Sequence, residues 1–223
     1  MSMLYRSLTS ALALSLALAS VAHAAQDDID KVLGSVQVAA GQQAGDVGTV
    51  DGAVRIGAGA GVRKVHTVNG AIDTGDRVTA QALSTVNGAI VLGRDGHISG
   101  DVSAVNGGID LGSGGEIDGR VSNVDGRIRV AAAHVAGGIA TVAGDIEIGA
   151  GARIEGGIRV EKCNTGRLGW FNHCRKPRVV IGPGAVVQGT LDFRRQVDLY
   201  VSDSAQVGPI KGATPQRFSG DHP

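Results

Sequence analysis

Aliphatic residues recur along this chain with a long period and a short one. A Val-Asn-Gly tripeptide, or a close variant of it, starts at six positions: Val50, Val68, Val86, Val105, Val124 and Val142. The intervals between these starts are equal, except that the two intervals flanking Val105 are each one residue longer. A six-residue period lies inside this repeat, and Val, Ile or Leu occupies sixteen of its nineteen positions from Val50 to Val160. A period of six does not fit the 3.6 residues per turn of an α-helix, but it suits a short strand followed by a corner.

Three such units make one triangular coil of about 18 residues. One coil cannot bury its own apolar side, so it must stack on the next one. We therefore predict an all-β fold, a single-stranded parallel β-helix (a triangular β-solenoid). In it the tripeptide valines and the aliphatic residues that follow them form buried columns, spaced by roughly 4.8 Å as in neighbouring strands.

The tripeptide itself predicts a corner at the end of a strand. Glycine adopts positive φ freely, and Asn or Asp tolerates it, so we expect positive φ at this corner. Asn69, Asn87 and Asn106 should stack in one column and join their amides by hydrogen bonds. A ligand-binding stripe is the alternative interpretation of this column, and a structural turn is the favoured one.

The repeat stops after Val160 and resumes at Ile181, so residues 161–178 are predicted to be a loop inserted into the solenoid. Such insertions project from one face and often bind partners. The loop contains an aromatic pair and basic residues that we predict as a partner-binding site: Trp170, Phe171, Arg167 and Arg175. The alternative is that the aromatic pair only covers the flank of the rod.

The two cysteines of the chain, Cys163 and Cys174, both lie in this loop. In an exported protein such a pair predicts a disulfide. The competing zinc site would have His173 as its third ligand, which is a weak ligand set at this spacing.

Residues 1–24 have the layout of a cleavable secretory signal. Arg6 is followed by an apolar run, and Ala22 and Ala24 are the small residues before the expected cleavage site. An uncleaved anchor helix is the alternative. The predicted organisation is a signal peptide at 1–24, an N-terminal cap at 25–45, the β-solenoid at 46–211 and a flexible tail at 212–223.

Composition supports thin, similar layers rather than a globular core. The chain has 36 glycines and only 3% aromatic residues, and its formal net charge is zero. A neutral chain gives no reason to expect nucleic acid or acidic lipid as a partner. We also expect no membrane-spanning segment after signal cleavage, because no second long apolar run follows.

Segments such as Ile148-Gly149-Ala150-Gly151-Ala152-Arg153-Ile154-Glu155-Gly156 resemble the repeat of bactofilins, the polymer-forming bacterial cytoskeletal family. The Val-Asn-Gly-Ala-Ile units are similar to those of an adhesin-type β-solenoid family of bacterial envelopes. The bactofilin resemblance implies a right-handed triangular β-helix that polymerises end to end without nucleotide. The chain differs from bactofilins in its signal sequence and in its cysteine-containing insertion.

The favoured function is an exported structural or scaffold protein of the bacterial envelope that self-associates. It would lie in the periplasm or on the surface of a Gram-negative cell. The alternative is an adhesin or binding module that uses loop 161–178 to hold a cell-envelope protein or polysaccharide. A third hypothesis, a hexapeptide-type acyltransferase, would need a general base from among His66, His97 and His134. We expect no enzyme activity, and hence no catalytic residue, cofactor or metal.

Overall fold

The computed structural model describes residues 27–163 and 175–223, and within those ranges it contains 27 short β-strands in three parallel sheets. From the third coil onward the chain passes from sheet A to sheet B to sheet C and then returns to sheet A, whereas the first two described coils have strands in sheets A and B alone. It makes about nine coils of about 19 residues each. The predicted all-β parallel β-solenoid is therefore confirmed.

The strands of each sheet follow one another in space from the N-terminal end of the rod. Sheet A comprises β1 (Ile29–Leu33), β3 (Val47–Asp51), β5 (Lys64–Asn69), β8 (Ala82–Asn87), β11 (Val102–Asn106), β14 (Val121–Asp125), β17 (Ile139–Thr141), β20 (Ile158–Val160), β23 (Leu191–Phe193) and β26 (Ile210–Lys211). Sheet B comprises β2 (Val36–Val38), β4 (Val54–Ile56), β6 (Ile72–Thr74), β9 (Ile90–Leu92), β12 (Ile109–Leu111), β15 (Ile128–Val130), β18 (Ile146–Ile148), β21 (Arg178–Ile181), β24 (Asp198–Ser202) and β27 (Gln216–Phe218). Sheet C comprises β7 (Thr79–Ala80), β10 (His97–Ile98), β13 (Glu116–Ile117), β16 (His134–Val135), β19 (Arg153–Ile154), β22 (Val186–Val187) and β25 (Gln206–Val207).

The core consists of aliphatic columns that run along the axis of the rod. The most regular column lies in sheet B, where equivalent isoleucines of successive coils are paired and fully buried: Ile72, Ile90, Ile109, Ile128 and Ile146. β-Branched side chains suit this position because they pack well on a pleated surface. Each coil thus buries its apolar side against the coils before and after it.

The tripeptide valines stack in register as expected, but the prediction that they form a buried column is wrong. Val50, Val68, Val86, Val105 and Val124 point outward and are 37–43% exposed. The strands of sheet A are five or six residues long where these tripeptides occur, so side chains alternate along them. The buried positions lie three and one residues before each valine, as with Leu83 and Thr85 before Val86. The valine therefore faces solvent, directly before the exposed Asn or Asp of the corner.

Close approach of the backbone, rather than positive φ, explains most of the tripeptide glycines. Gly70, Gly88 and Gly107 do not have positive φ. A Cβ atom on Gly88 would lie 1.9 Å from the carbonyl oxygen of Gly70 in the preceding coil. Positive φ recurs instead at the corner between sheets B and C, for example at Gly59. The expectation of positive φ at the tripeptide corner is therefore wrong for these three glycines.

Strand pairing extends further at both ends than the sequence pattern indicated. The first coil lies inside the expected cap 25–45, because β1 and β2 already pair with β3 and β4. The expected flexible tail 212–223 contains β27, which pairs in parallel with β24. Pro209 and Pro215 lie just before β26 and β27, where a missing N–H does not interrupt the ladder. With about nine coils at roughly 4.8 Å each, the rod is about 40 Å long.

Candidate interaction surface

The tripeptide valines form a ridge along the outside of sheet A. We call Val50, Val68, Val86, Val105 and Val124 the valine ridge. The pairing of Thr85 with Ala104 and of Asn87 with Asn106 fixes Val86 and Val105 side by side in neighbouring strands. An aligned row of five exposed aliphatic side chains is an unusual surface feature, since single exposed hydrophobic residues are normally scattered.

A column of hydrogen-bonded asparagines runs beside the ridge. Nδ2 of Asn87 donates to Oδ1 of Asn69 at 2.9 Å, and Nδ2 of Asn106 donates to Oδ1 of Asn87 at 3.0 Å. The column begins at Asp51, whose Oδ1 accepts from Nδ2 of Asn69 at 2.6 Å. The predicted amide column is confirmed. Because the amides bond to one another, they hold a straight border along the A–B corner.

Small side chains complete this surface on the other side of the ridge. We define the neutral face by eight uncharged outward residues of β8, β11 and β14: Ser84, Val86, Asn87, Ser103, Val105, Asn106, Ser122 and Val124. Charged residues border it, with Lys64 on β5 toward one end and Asp125, the last residue of β14, toward the other. Asp101 and Arg120 lie at its C–A edge, where Asp101 accepts a hydrogen bond from the Arg120 backbone N–H at 2.8 Å.

Buried threonines under the ridge hold the A–B corner in place. The hydroxyl groups of Thr49, Thr67 and Thr85 each donate to a glycine carbonyl of the preceding coil at 3.0 Å. These polar groups are therefore satisfied although they face the core. Their regular spacing keeps the corner the same from coil to coil, and it keeps the overlying valines aligned.

The insertion predicted at 161–178 leaves the rod at this same A–B corner. Val160 pairs with Thr141, and Val179 pairs with Ile146, so the chain leaves sheet A and re-enters sheet B at the corner that residues 142–145 form in the preceding coil. The interruption thus lies beyond the C-terminal end of the valine ridge, which places the two candidate binding features on one edge of the rod.

Of the four residues predicted to bind a partner, Arg175 is the one inside the described ranges, and it anchors the base of the insertion. Its Nη2 lies 2.7 Å from Oδ2 of Asp145, and this hydrogen bond raises the pKa of Arg175. Its carbonyl oxygen accepts a hydrogen bond from Nη2 of Arg195 at 3.0 Å. Arg167, Trp170 and Phe171 lie outside the described residues, so their role in binding stays a prediction.

The disulfide stays a prediction as well, because Cys174 lies outside the described residues. Cys163, which follows β20 by three residues, is inside them.

The three histidines considered as general bases lie on two different sheets. His66 is an exposed residue of β5 in sheet A, and its Nε2 lies 3.9 Å from Oδ1 of Asp30. His97 and His134 lie two coils apart in sheet C. Nδ1 of His97 is 3.6 Å from a carboxylate oxygen of Glu116, and Nε2 of His134 is 3.2 Å from one of Glu155. The structure therefore does not bring the three together.

The protonation of Glu155 at acid pH should lower the free energy of unfolding. The hydrogen bond from Arg153 and the adjacent His134 lower the pKa of Glu155 below its ordinary 4.5. A carboxyl whose pKa is lowered by folding contributes stability above its unfolded pKa and loses it as the pH falls through the folded value. We expect Glu155→Gln to flatten the decline in unfolding free energy below about pH 4.5. Urea titrations from pH 7 to pH 3 measure this, and an identical decline in both proteins would contradict it.

Residues 27–163 and 175–223 contain no apolar helix of membrane-spanning length. In the same ranges, no group of three or more His, Cys, Asp or Glu side chains is placed to hold a metal ion.

Comparison with known proteins found no match to the chain among family models, curated proteins or solved structures.

The exposed valine ridge is the candidate interaction feature that the sequence pattern did not reveal. A signal was present, since Val65, Leu83, Val102 and Val121 repeat with the same spacing as the tripeptide valines. Two columns three residues apart on one strand must face opposite sides of a sheet, so only one of them can be buried.

Proposed function

We propose that this protein is an exported structural rod of the bacterial envelope that works by self-association. The observation that carries the proposal is that the strands at both ends of the described rod have one unpaired edge. β1 and β2 at one end, and β26 and β27 at the other, each pair with a single strand among the described residues. An edge strand offers a row of backbone donors and acceptors to another strand.

The N-terminal edge also exposes apolar side chains. Val32 and Leu33 are 69% and 74% exposed, and they follow the charged residues Asp30 and Lys31 in β1. If the C-terminal edge of a second rod stacked on β1, it would continue the parallel ladder and cover part of this surface. Support for export comes from the secretory layout of residues 1–24.

The test is the mass of the chain without residues 1–24, measured by light scattering over a wide range of protein concentration. We expect a weight-average mass that exceeds the monomer and rises with concentration. Leu33→Glu places a charge on the exposed edge strand β1 and should reduce this mass. A charge at Val91, which lies in β9 on the side of the rod, should leave end-to-end growth unchanged. A strict monomer at all concentrations would overturn the proposal.

The insertion supports a second candidate function, that of an adhesin or binding module. It leaves the rod at one corner, and the hydrogen bond between Arg175 and Asp145 fixes its base. In this case Trp170→Ala with Phe171→Ala should abolish retention of the protein on purified cell-wall polysaccharide or on envelope proteins. The circular dichroism spectrum should stay unchanged. Retention equal to that of the wild type would exclude binding through the aromatic pair.

A further inference from the structure

We infer that the neutral face of sheet A packs side by side against the neutral face of a second copy of this chain. The inference rests on the proposed function, because it assigns a lateral interface to a rod that self-associates. It goes beyond it in naming the surface, the outward side of β8, β11 and β14, which end-to-end contacts through β1 and β26 would leave exposed.

The lack of charged side chains on the face favours an uncharged partner. Across β8, β11 and β14 the outward side chains are Ala, Ser, Val and Asn, and Asp125 at the end of β14 is the charged exception. Nucleic acid and anionic lipid surfaces are held mainly by Lys and Arg. A strongly charged peptide would likewise need side chains of opposite charge. A surface of Ser, Val and Asn offers none of these contacts, but it is chemically complementary to itself.

The period of the face selects a second copy over an unrelated neutral protein. Val86, Val105 and Val124 are held at the spacing of adjacent strands, roughly 4.8 Å, by the hydrogen bonds of the sheet. A second copy presents the same spacing, so a contact made at one coil of the face recurs at its other two coils. Rows of small side chains on two such sheets can interdigitate with the sheets about 10 Å apart, as in other dry sheet-to-sheet packings.

The area of the face sets the strength of the contact. The neutral face covers the three strands β8, β11 and β14, which have five or six residues each. At roughly 4.8 Å between strands and about 3.3 Å per residue, its area is about 250 Å². A stable interface of standard size buries about 800 Å² on each partner. A single pair of rods should therefore associate weakly. Rods already joined end to end should associate much more strongly, because each further pair of faces binds at a high effective concentration.

The experiment compares two lysine variants that are matched in exposure. Val86→Lys with Val105→Lys places charges on the ridge, where the side chains are 39% and 40% exposed. Val91→Lys is the control, because Val91 is also 40% exposed but lies on sheet B. Sedimentation velocity of the chain without residues 1–24 should show at least tenfold weaker lateral association for the double variant and no change for the control. Circular dichroism verifies that each variant is folded.

The outcomes separate this inference from the proposed function. If the wild type associates and the double variant associates equally well, the neutral face is not the interface, although the rod still self-associates. Equal loss in the Val91→Lys control would also overturn the inference. A wild type that stays monomeric overturns the proposed function and with it the lateral contact. Should the double variant fail to fold, Ser103→Lys on the same face provides the same test with one small outward residue changed.

Discussion

Replacing Gly88 by alanine is expected to lower the free energy of unfolding by about 3 kcal/mol, at the upper end for overpacking. The added Cβ would lie 1.9 Å from the carbonyl oxygen of Gly70 and 2.4 Å from its carbonyl carbon. Both atoms belong to the backbone of the preceding coil, so neither can move without breaking the stack of corners. Urea-induced unfolding followed by circular dichroism measures the loss.

Gly59→Ala is the matched control for this substitution. A Cβ at Gly59 meets no atom within 4 Å, but the residue has a φ of +67°. The cost there is only the strain of a non-glycine residue in the left-handed region, about 1 kcal/mol. If both variants lost the same stability, close approach between coils would not be the reason for the tripeptide glycine.

Ile109→Ala should be the other severe change, with a loss of about 3 kcal/mol. Ile109 is 1% exposed and lies between Ile90 and Ile128 in the column of sheet B. Truncation removes buried apolar surface and leaves a cavity that neighbouring coils cannot fill, because their strands are fixed by hydrogen bonds on both sides. Thermal or urea unfolding of the purified variant measures this loss.

Val105→Ala, in the same coil, tests the orientation of the tripeptide valine. Its side chain is 40% exposed, so truncation should cost less than about 1 kcal/mol in a monomeric rod. If Val105→Ala proved as destabilising as Ile109→Ala, the valine would be a core residue after all.

The sequence was sufficient for the fold because the fold is built from local repetition. Three strand-and-corner units form one coil, and successive coils bury their apolar sides only if equivalent residues stack. Parallel pairing, such as that of Asn87 with Asn106, follows from this stacking. The asparagine column was predictable for the same reason, since stacking brings each amide within reach of the next.

Which side of sheet A the valines face could not be taken from the period alone. Both Val102 and Val105 recur at the same spacing, and the choice depends on how many residues the strand contains before the corner. The role of the corner glycines is ambiguous in the sequence for a related reason. Close approach between coils and positive φ both select glycine, and only coordinates separate Gly88 from Gly59.

The ends of the solenoid were harder to place because the repeat weakens there. β1 carries Asp30 and Lys31, and Pro215 precedes β27, so neither segment follows the aliphatic pattern. Pairing with a well-formed neighbouring coil is enough to hold such strands. The effect of a residue on strand stability depends on this context more than on its intrinsic propensity.

Electron microscopy of the concentrated chain without residues 1–24 tests self-association most directly. We expect particles longer than the roughly 40 Å of one rod, with pairs of rods lying side by side. Uniform single particles of one rod's length, at the highest concentration the protein tolerates, would contradict it.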